Sequence, residues 1–381
     1  MTHLHLDLET RSTVDIKKAG ADVYARHPST DVWCAGFAFD DEPAGLFGRG
    51  LPANENVTRV RVHIERGGTV VSHNSAFELA IWNHVMVPRY GWPVLKPEQC
   101  ICTMAMAYAM SLPGSLDGAA AAVGLDQQKD MKAWRVMLQL SQPRKMMAAE
   151  CPHCNSEGRI GNRICPRCDG NVDIAVPVWY TPESHPEKFE TLYAYCKQDV
   201  EVERQLFKRL LPLSQDEQEM WLIDQRINQR GVQVDIKAVK AAKAIVMAEK
   251  ARLDAEMRLV TGNAVATCNA AGQLTDWLRY RGVEVASIAK NDVVDLLALP
   301  TLPDDCRKAL KLRQEAAKSS TAKLDAMLLG VCDDGRMRGL FQYHGAGTGR
   351  WAGRRAQPQN YPRSSMPQSE IDEIFAMLEA A

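Results

Sequence analysis

His3-Leu4-His5-Leu6-Asp7-Leu8-Glu9 opens a chain of 381 residues with strict alternation. Leucine occupies every even position and a polar or charged residue every odd one, the period-two pattern of a strand with one buried face. Asp7 and Glu9 therefore project from the same, polar face. Working outward, Val32 to Phe39 and Thr69 to Ser72 read as further strands, and Phe77 to Val85 as a helix. Ser115 is a plausible N-cap for a helix over Leu116 to Val123 that stops at Gly124. Pro177 to His185 reads as loop, and Glu187 to Leu211 as a long helix ended by Pro212. Strands and helices alternating in this way predict an α/β layer structure. From Gln215 the pattern changes to long helices at 215–229, 235–260 and 304–329, the last studded with basic residues that include Lys318. After Gly330 the chain is rich in glycine and arginine. Two domains are expected, 1–212 and 213–381.

An apolar fraction of 46% and a charged fraction of 24% suit a globular chain able to bury real cores. No apolar run approaches the length of a membrane span. The strand pattern at the N-terminus leaves no room for a signal peptide, so a cytoplasmic address, in a bacterium or a phage-infected cell, is expected. In that compartment the eleven cysteines are expected to be thiols or metal ligands. The net charge of −1 is uninformative, but its distribution is not. Gly335 to Ser369 contains no acid and six arginines: Arg336, Arg338, Arg350, Arg354, Arg355 and Arg363. Such a stretch is the local footprint of phosphate contact.

Two more acid-bearing stretches stand out. Asn74-Ser75-Ala76-Phe77-Glu78 follows a strand and places an acid near a helix start, where the helix dipole alone would favour it. Tyr195 and Asp199 lie four apart on the long helix, hence on one face. Each piece is ordinary by itself. Together, in this order, they resemble the three exonuclease motifs of the proofreading domain of family A DNA polymerases, members of the DEDD superfamily. Asp7-x-Glu9 matches the first motif. Asn74 to Glu78 matches the second, with Glu where the family has Asp. Tyr195-x-x-x-Asp199 matches the third; Ala194 stands where the other subclass has its histidine, which indicates the tyrosine subclass.

The resemblance implies an RNase H-like fold, a mixed sheet flanked by helices, and 3′→5′ exonuclease activity on DNA. Phosphodiester hydrolysis concentrates negative charge on phosphorus, and two Mg²⁺ or Mn²⁺ ions, hard cations that prefer carboxylates, can activate water and stabilise the leaving oxygen. By the resemblance Asp7, Glu9 and Asp199 hold the catalytic ions, Glu78 serves the second ion through water, Tyr195 orients the attacking water, and Asn74 contacts substrate. Glu78 is one methylene longer than the family's Asp, which alters its reach towards the second metal.

Cys151-Pro-His-Cys154 and, ten residues on, Cys165-Pro-Arg-Cys168 form a strong zinc signal. Each pair chelates from a tight turn, and four thiolates make a closed tetrahedral site. The 150–170 segment thus reads as a zinc-binding insertion with a structural or DNA-docking role, the two C-x-x-C pairs having no thioredoxin-like context.

The second half resembles the helical thumb of the same family. Thr348-Gly349-Arg350 and, nine residues on, Gln359-Asn360-Tyr361-Pro362 match a stretch that contacts primer–template backbone. That resemblance implies DNA contacts at Thr348, Arg350, Arg354, Gln359 and Asn360. The intervening Trp351-Ala352-Gly353 and Ala356-Gln357-Pro358 depart from the family pattern. No palm or fingers motif follows in the nineteen residues after Pro362. The expectation is a proofreading half without polymerase activity of its own, from a split gene or a truncated chain, with a palm–fingers polypeptide as partner. Two other readings stay open: an exoribonuclease of the RNase D kind, and a non-catalytic primer–template-binding subunit.

Overall fold

The computed structural model describes residues 2–52, 55–125, 130–161, 163–317, 321–361 and 366–380. Lys318, Pro362 and Arg363 lie outside them. The chain divides into two compact units, Met1–Val232 with Cys332–Arg354, and Gln233–Val331 with Arg355–Ala381.

The first unit is built on a five-stranded sheet: β1 (His3–Arg11), β2 (Asp31–Phe39), β3 (Gly45–Gly48), β4 (Thr69–Ser72) and β5 (Cys100–Cys102), in the order β3-β2-β1-β4-β5. β1 pairs antiparallel with β2 and parallel with β4, so the sheet is mixed and its first strand is central. The leucines at 4, 6 and 8 are buried as their alternation requires, in one core with Phe37, Phe39, Ile81 and Trp82. Helix α1 (Ser75–Ile81) starts two residues before the sequence suggested and continues through a π turn, Trp82–Met86, into Val87–Tyr90. Helix α2 (Pro186–Arg209) lies on β1 and β2 and joins Phe189, Leu192 and Cys196 to Trp33 and Cys34 in a second core. This is an α/β architecture with helices flanking a mixed sheet.

Residues 177 and 178, expected in a loop, instead end the strand Asp173–Val178. It pairs antiparallel with Lys145–Glu150, and this two-stranded ribbon carries the cysteine segment within the first unit. Helix α3 (Gln215–Arg230) lies beyond the expected boundary at 212, yet folds with the first unit. Trp221 and, from the returning segment, Tyr343 are both buried in the main core.

The second unit is helical. Helix α4 (Ile236–Val260) packs against Asp304–Ala316, Ala322–Gly330 and Gln368–Ala380. Leu253, Met257, Leu274, Leu278, Ala309 and Leu310 fill its core. The single helix expected over 304–329 is two, Asp304–Ala316 and Ala322–Gly330. Among the described residues no helix is long and apolar enough to cross a membrane.

Asp224 ties the returning segment to α3. Its Oδ2 accepts from Asn228 Nδ2 at 3.1 Å, and Asn228 also bonds Phe341 through both N–H and C=O. Its Oδ1 is buried without a partner, and burial pushes the carboxyl up to about 7. A carboxyl raised above its unfolded value near 3.8 favours the fold while protonated. That contribution is full below about pH 4 and lost as the pH rises through about 7. Asp224→Asn keeps an acceptor and removes the titration. It should melt above wild type at pH 8 and close to it at pH 4; parallel melting curves across that range would contradict the assignment.

Candidate active site

Asp7 and Glu9 leave β1 on the face covered by α2, and Asp199 leaves α2 towards them. Oxygens of these three carboxylates all lie within 4.8 Å of one another. The closeness depends on what is missing opposite Asp7. Its register partner on β2 is Gly36, and a β-carbon there would stand 2.8 Å from Val200 Cγ2 and 3.0 Å from both the carbonyl oxygen and Sγ of Cys196. Only hydrogen at this position lets the helix come so near the strand. Cys196 then places its thiol 3.5 Å from Asp7 Oδ2.

Tyr195, one turn before Asp199, is 5% exposed, and its hydroxyl donates to the Asp199 carboxylate. Burial first, and then the negative charge of Asp199, push its pKa upward, so it is a proton-bearing donor at neutral pH. Burial, followed by the charge of Asp199, raises Asp7 to about 8, against the pull of the Cys196 thiol. Three carboxylates this close repel one another, and a cation among them would offset that repulsion.

Glu78, on α1, is 4% exposed. It lies near enough to Asp7 for that charge to raise its pKa, after the larger effect of burial. It is not one of the three acids that converge within 4.8 Å, and its Oε2 is buried with no hydrogen-bond partner. Asn74 sits in the left-handed turn that starts α1, with φ 73°, and does not cap the helix through its side chain.

One pair escaped the sequence reading. His5 Nδ1 and Glu203 Oε2 are 2.6 Å apart, with both side chains almost fully buried. His5 is two before Asp7 on β1 and Glu203 four after Asp199 on α2, so the pair repeats the acid cluster one step deeper along the same strand and helix. The available signal was that offset: the same two periods that align Asp7 with Asp199 align His5 with Glu203.

The four cysteines of the ribbon converge as well. Cys151 and Cys165 have their sulfurs 3.9 Å apart, Cys154 and Cys168 theirs 3.6 Å apart, and none is disulfide-bonded. A tetrahedron with Zn–S bonds of about 2.3 Å has edges of about 3.8 Å. The donor set therefore fits zinc.

The expected DNA-contact residues are divided. Thr348, Arg350 and Arg354 belong to the first unit, Gln359 and Asn360 to the second. Arg350 Nε donates to Thr348 Oγ1 at 3.1 Å, and Arg354 donates to Gln342. Two members of the arginine stretch are not free for phosphate, contrary to expectation. Arg336 donates to the carbonyls of Arg230 and Gly231, and the buried Arg338 to the carbonyl of Gln229 and the carboxylate of Asp334. They close the end of α3, where the last carbonyls lack helical partners.

No protein-family model matches the chain. It is 34% identical, over 381 residues, to a DNA polymerase of Bacillus phage SP02, an alignment that covers 98% of this chain and 52% of that protein. The chain thus spans about half the length of this relative. Among solved structures it is similar to the POL domain of Pol1 from M. smegmatis in complex with DNA primer-template and dNTP. The identity is 14% and the TM-score 0.49, over 96% of this chain and 53% of that one.

Gly36→Ala should push α2 away from β1 and separate Asp199 from Asp7. Overpacking of this kind costs about 1–3 kcal/mol. Thermal melting should register that loss, and an unchanged melting temperature would show that the helix is not held at the contact distance described.

Proposed function

We propose that the chain is a metal-dependent 3′→5′ exodeoxyribonuclease, the proofreading portion of a DNA polymerase, on an RNase H-like first unit followed by a thumb-like helical one. The observation that carries the reading is the convergence of Asp7, Glu9 and Asp199 within 4.8 Å, with the Tyr195 hydroxyl on Asp199. Relatedness to a phage DNA polymerase over nearly the whole chain supports DNA, not RNA, as the polymer. It also supports a role in replication beside a polymerising palm and fingers.

Asp7, Glu9 and Asp199 would hold a divalent cation, and Glu78, buried and unpartnered through Oε2, would serve a second. Bound Mg²⁺ or Mn²⁺ supplies Lewis acidity and charge neutralisation at a phosphodiester. The chain's own residues do the rest. Tyr195, held by Asp199 and fully protonated, fixes the orientation of the attacking water by hydrogen bonding. His5 and Glu203 lock α2 onto β1 beneath the acids, so that Asp7 and Asp199 approach the substrate phosphate in a fixed relation. Asn74, at the turn before α1, would contact the terminal nucleotide, while Thr348, Arg350, Arg354, Gln359 and Asn360 would contact duplex backbone.

The test is digestion of 5′-labelled single-stranded DNA with Mg²⁺ or Mn²⁺. Stepwise shortening from the 3′ end is expected. Asp7→Ala and Asp199→Ala should each abolish it, whereas Tyr195→Phe, which loses only a hydroxyl, should retain part. Glu78→Asp should retain activity and Glu78→Ala should lose most of it. Near-wild-type digestion by Asp7→Ala would refute the assignment of the site.

The cysteine ribbon should carry one tightly bound zinc. Elemental analysis of protein purified under reductant should return one zinc per chain, and Cys151→Ser with Cys165→Ser should return none. The double variant should still melt cooperatively, because its ribbon lies outside both cores of the sheet. Zinc-free wild-type protein would remove the claim.

A further inference from the structure

The first unit contains a cavity of about 500 Å³ that the carboxylate chemistry does not use, at the edge of the sheet formed by β2, β3 and the turn after Val87–Tyr90. Its volume is in the range of small-molecule sites. Val32, Phe47, Met86 and Trp92 make the walls, with the Phe47 and Trp92 rings stacked at 4.8 Å and 26°. Two polar groups face this apolar space. Tyr90 donates its hydroxyl to Asp31 at 2.6 Å, and Asp31 is gripped from the other side by Arg11 at 3.1 Å. The phenol is thereby fixed in direction, and its oxygen keeps a lone pair for an incoming N–H.

Arg49 is the second polar group. Its backbone is anchored on both sides, the N–H donating to the Trp33 carbonyl at 3.0 Å and the carbonyl accepting from Tyr193 at 2.7 Å. Its exposed guanidinium has no hydrogen bond or ion pair among the described residues, and its charge acts on Tyr90, Arg11 and Glu183. A cation fixed at its root, with an unused fork of donors beside flat apolar walls, matches an aromatic ring bearing an anionic group.

We infer that this cavity binds a nucleoside 5′-monophosphate, with the base between the apolar walls, an exocyclic amine on Tyr90 and the phosphate on Arg49. Gly48 pairs with Cys34, and Cys34 with Glu9, so the cavity rim is two strands, about 10 Å, from the acid cluster. A mononucleotide is also what the proposed reaction releases, and on that proposed function the cavity is a second site for product.

Isothermal titration of the full chain with dAMP, deoxyadenosine and inorganic phosphate, in buffer with no added divalent cation, tests it. One dAMP per chain is expected. Arg49→Ala, an exposed change that should leave the melting temperature in place, should weaken dAMP at least about tenfold, the loss of a bidentate phosphate contact. Deoxyadenosine should bind more weakly than dAMP and be indifferent to Arg49→Ala, and phosphate alone should bind more weakly still. Asp7→Ala should bind dAMP as wild type does, which separates this site from the carboxylates. No dAMP binding at millimolar concentration, equal affinity in Arg49→Ala, or loss of binding in Asp7→Ala would each overturn the inference. Absence of nuclease activity with dAMP binding intact would leave it standing.

Discussion

Where α2 meets the sheet at Gly36, strand and helix are so close that a single methyl group would collide with Val200 and Cys196. That contact brings Asp199 from the helix to Asp7 and Glu9 from the strand, and it has an electrostatic cost. Two unit charges about 4.8 Å apart at an effective dielectric of about 20 repel by roughly 3–4 kcal/mol. Three such pairs approach the entire stability of an ordinary domain. Burial and the charge of Asp199 raise the Asp7 carboxyl, and anchoring holds the helix against the repulsion. Trp33, Cys34, Phe189 and Leu192 pack the helix down, and the His5–Glu203 pair ties it from beneath. A bound cation would offset that repulsion.

The same constraint organises the rest of the first unit. β1 must be central, so that its leucines are buried on one face while its acids are roofed by α2 on the other. Glu78 lies near enough to Asp7 to feel its charge because α1 starts two residues after β4, the parallel neighbour of β1. Helix α3 and the returning segment 332–354 complete this unit through Trp221, Tyr343 and the Asp224–Asn228 junction, so the segment bearing Thr348, Arg350 and Arg354 is part of the unit that carries the acids.

Much of this was legible in the residues. Period-two leucines gave β1 its inner face, and the spacing of Asp7, Glu9, Tyr195 and Asp199 gave the face each side chain would take. The cysteine spacing gave the ribbon's donor set. What stayed hidden was long-range. Gly36 reads as an ordinary strand glycine until the helix above it is known. His5 and Glu203, 198 residues apart, look like two unrelated polar residues. Arg336 and Arg338 look like phosphate ligands because sequence shows charge but not the carbonyls at the end of α3 that absorb it. Helices Ala271–Tyr280 and Lys290–Ala298 were missed because each is only nine or ten residues long and bounded by turns. The expected boundary at 212 failed to foresee that Trp221 belongs to the preceding core.

The most direct measurement of the central claim is Mn²⁺ binding in the absence of nucleic acid, read together with thermal stability. Wild-type protein should bind Mn²⁺ at the Asp7–Glu9–Asp199 cluster and melt at a higher temperature with it. Asp199→Asn, relieved of one charge, should melt above wild type without metal, bind Mn²⁺ far more weakly and gain little stability from it. Equal Mn²⁺ affinity in the two proteins, or an Asp199→Asn variant less stable than wild type without metal, would contradict a carboxylate cluster assembled to hold a cation.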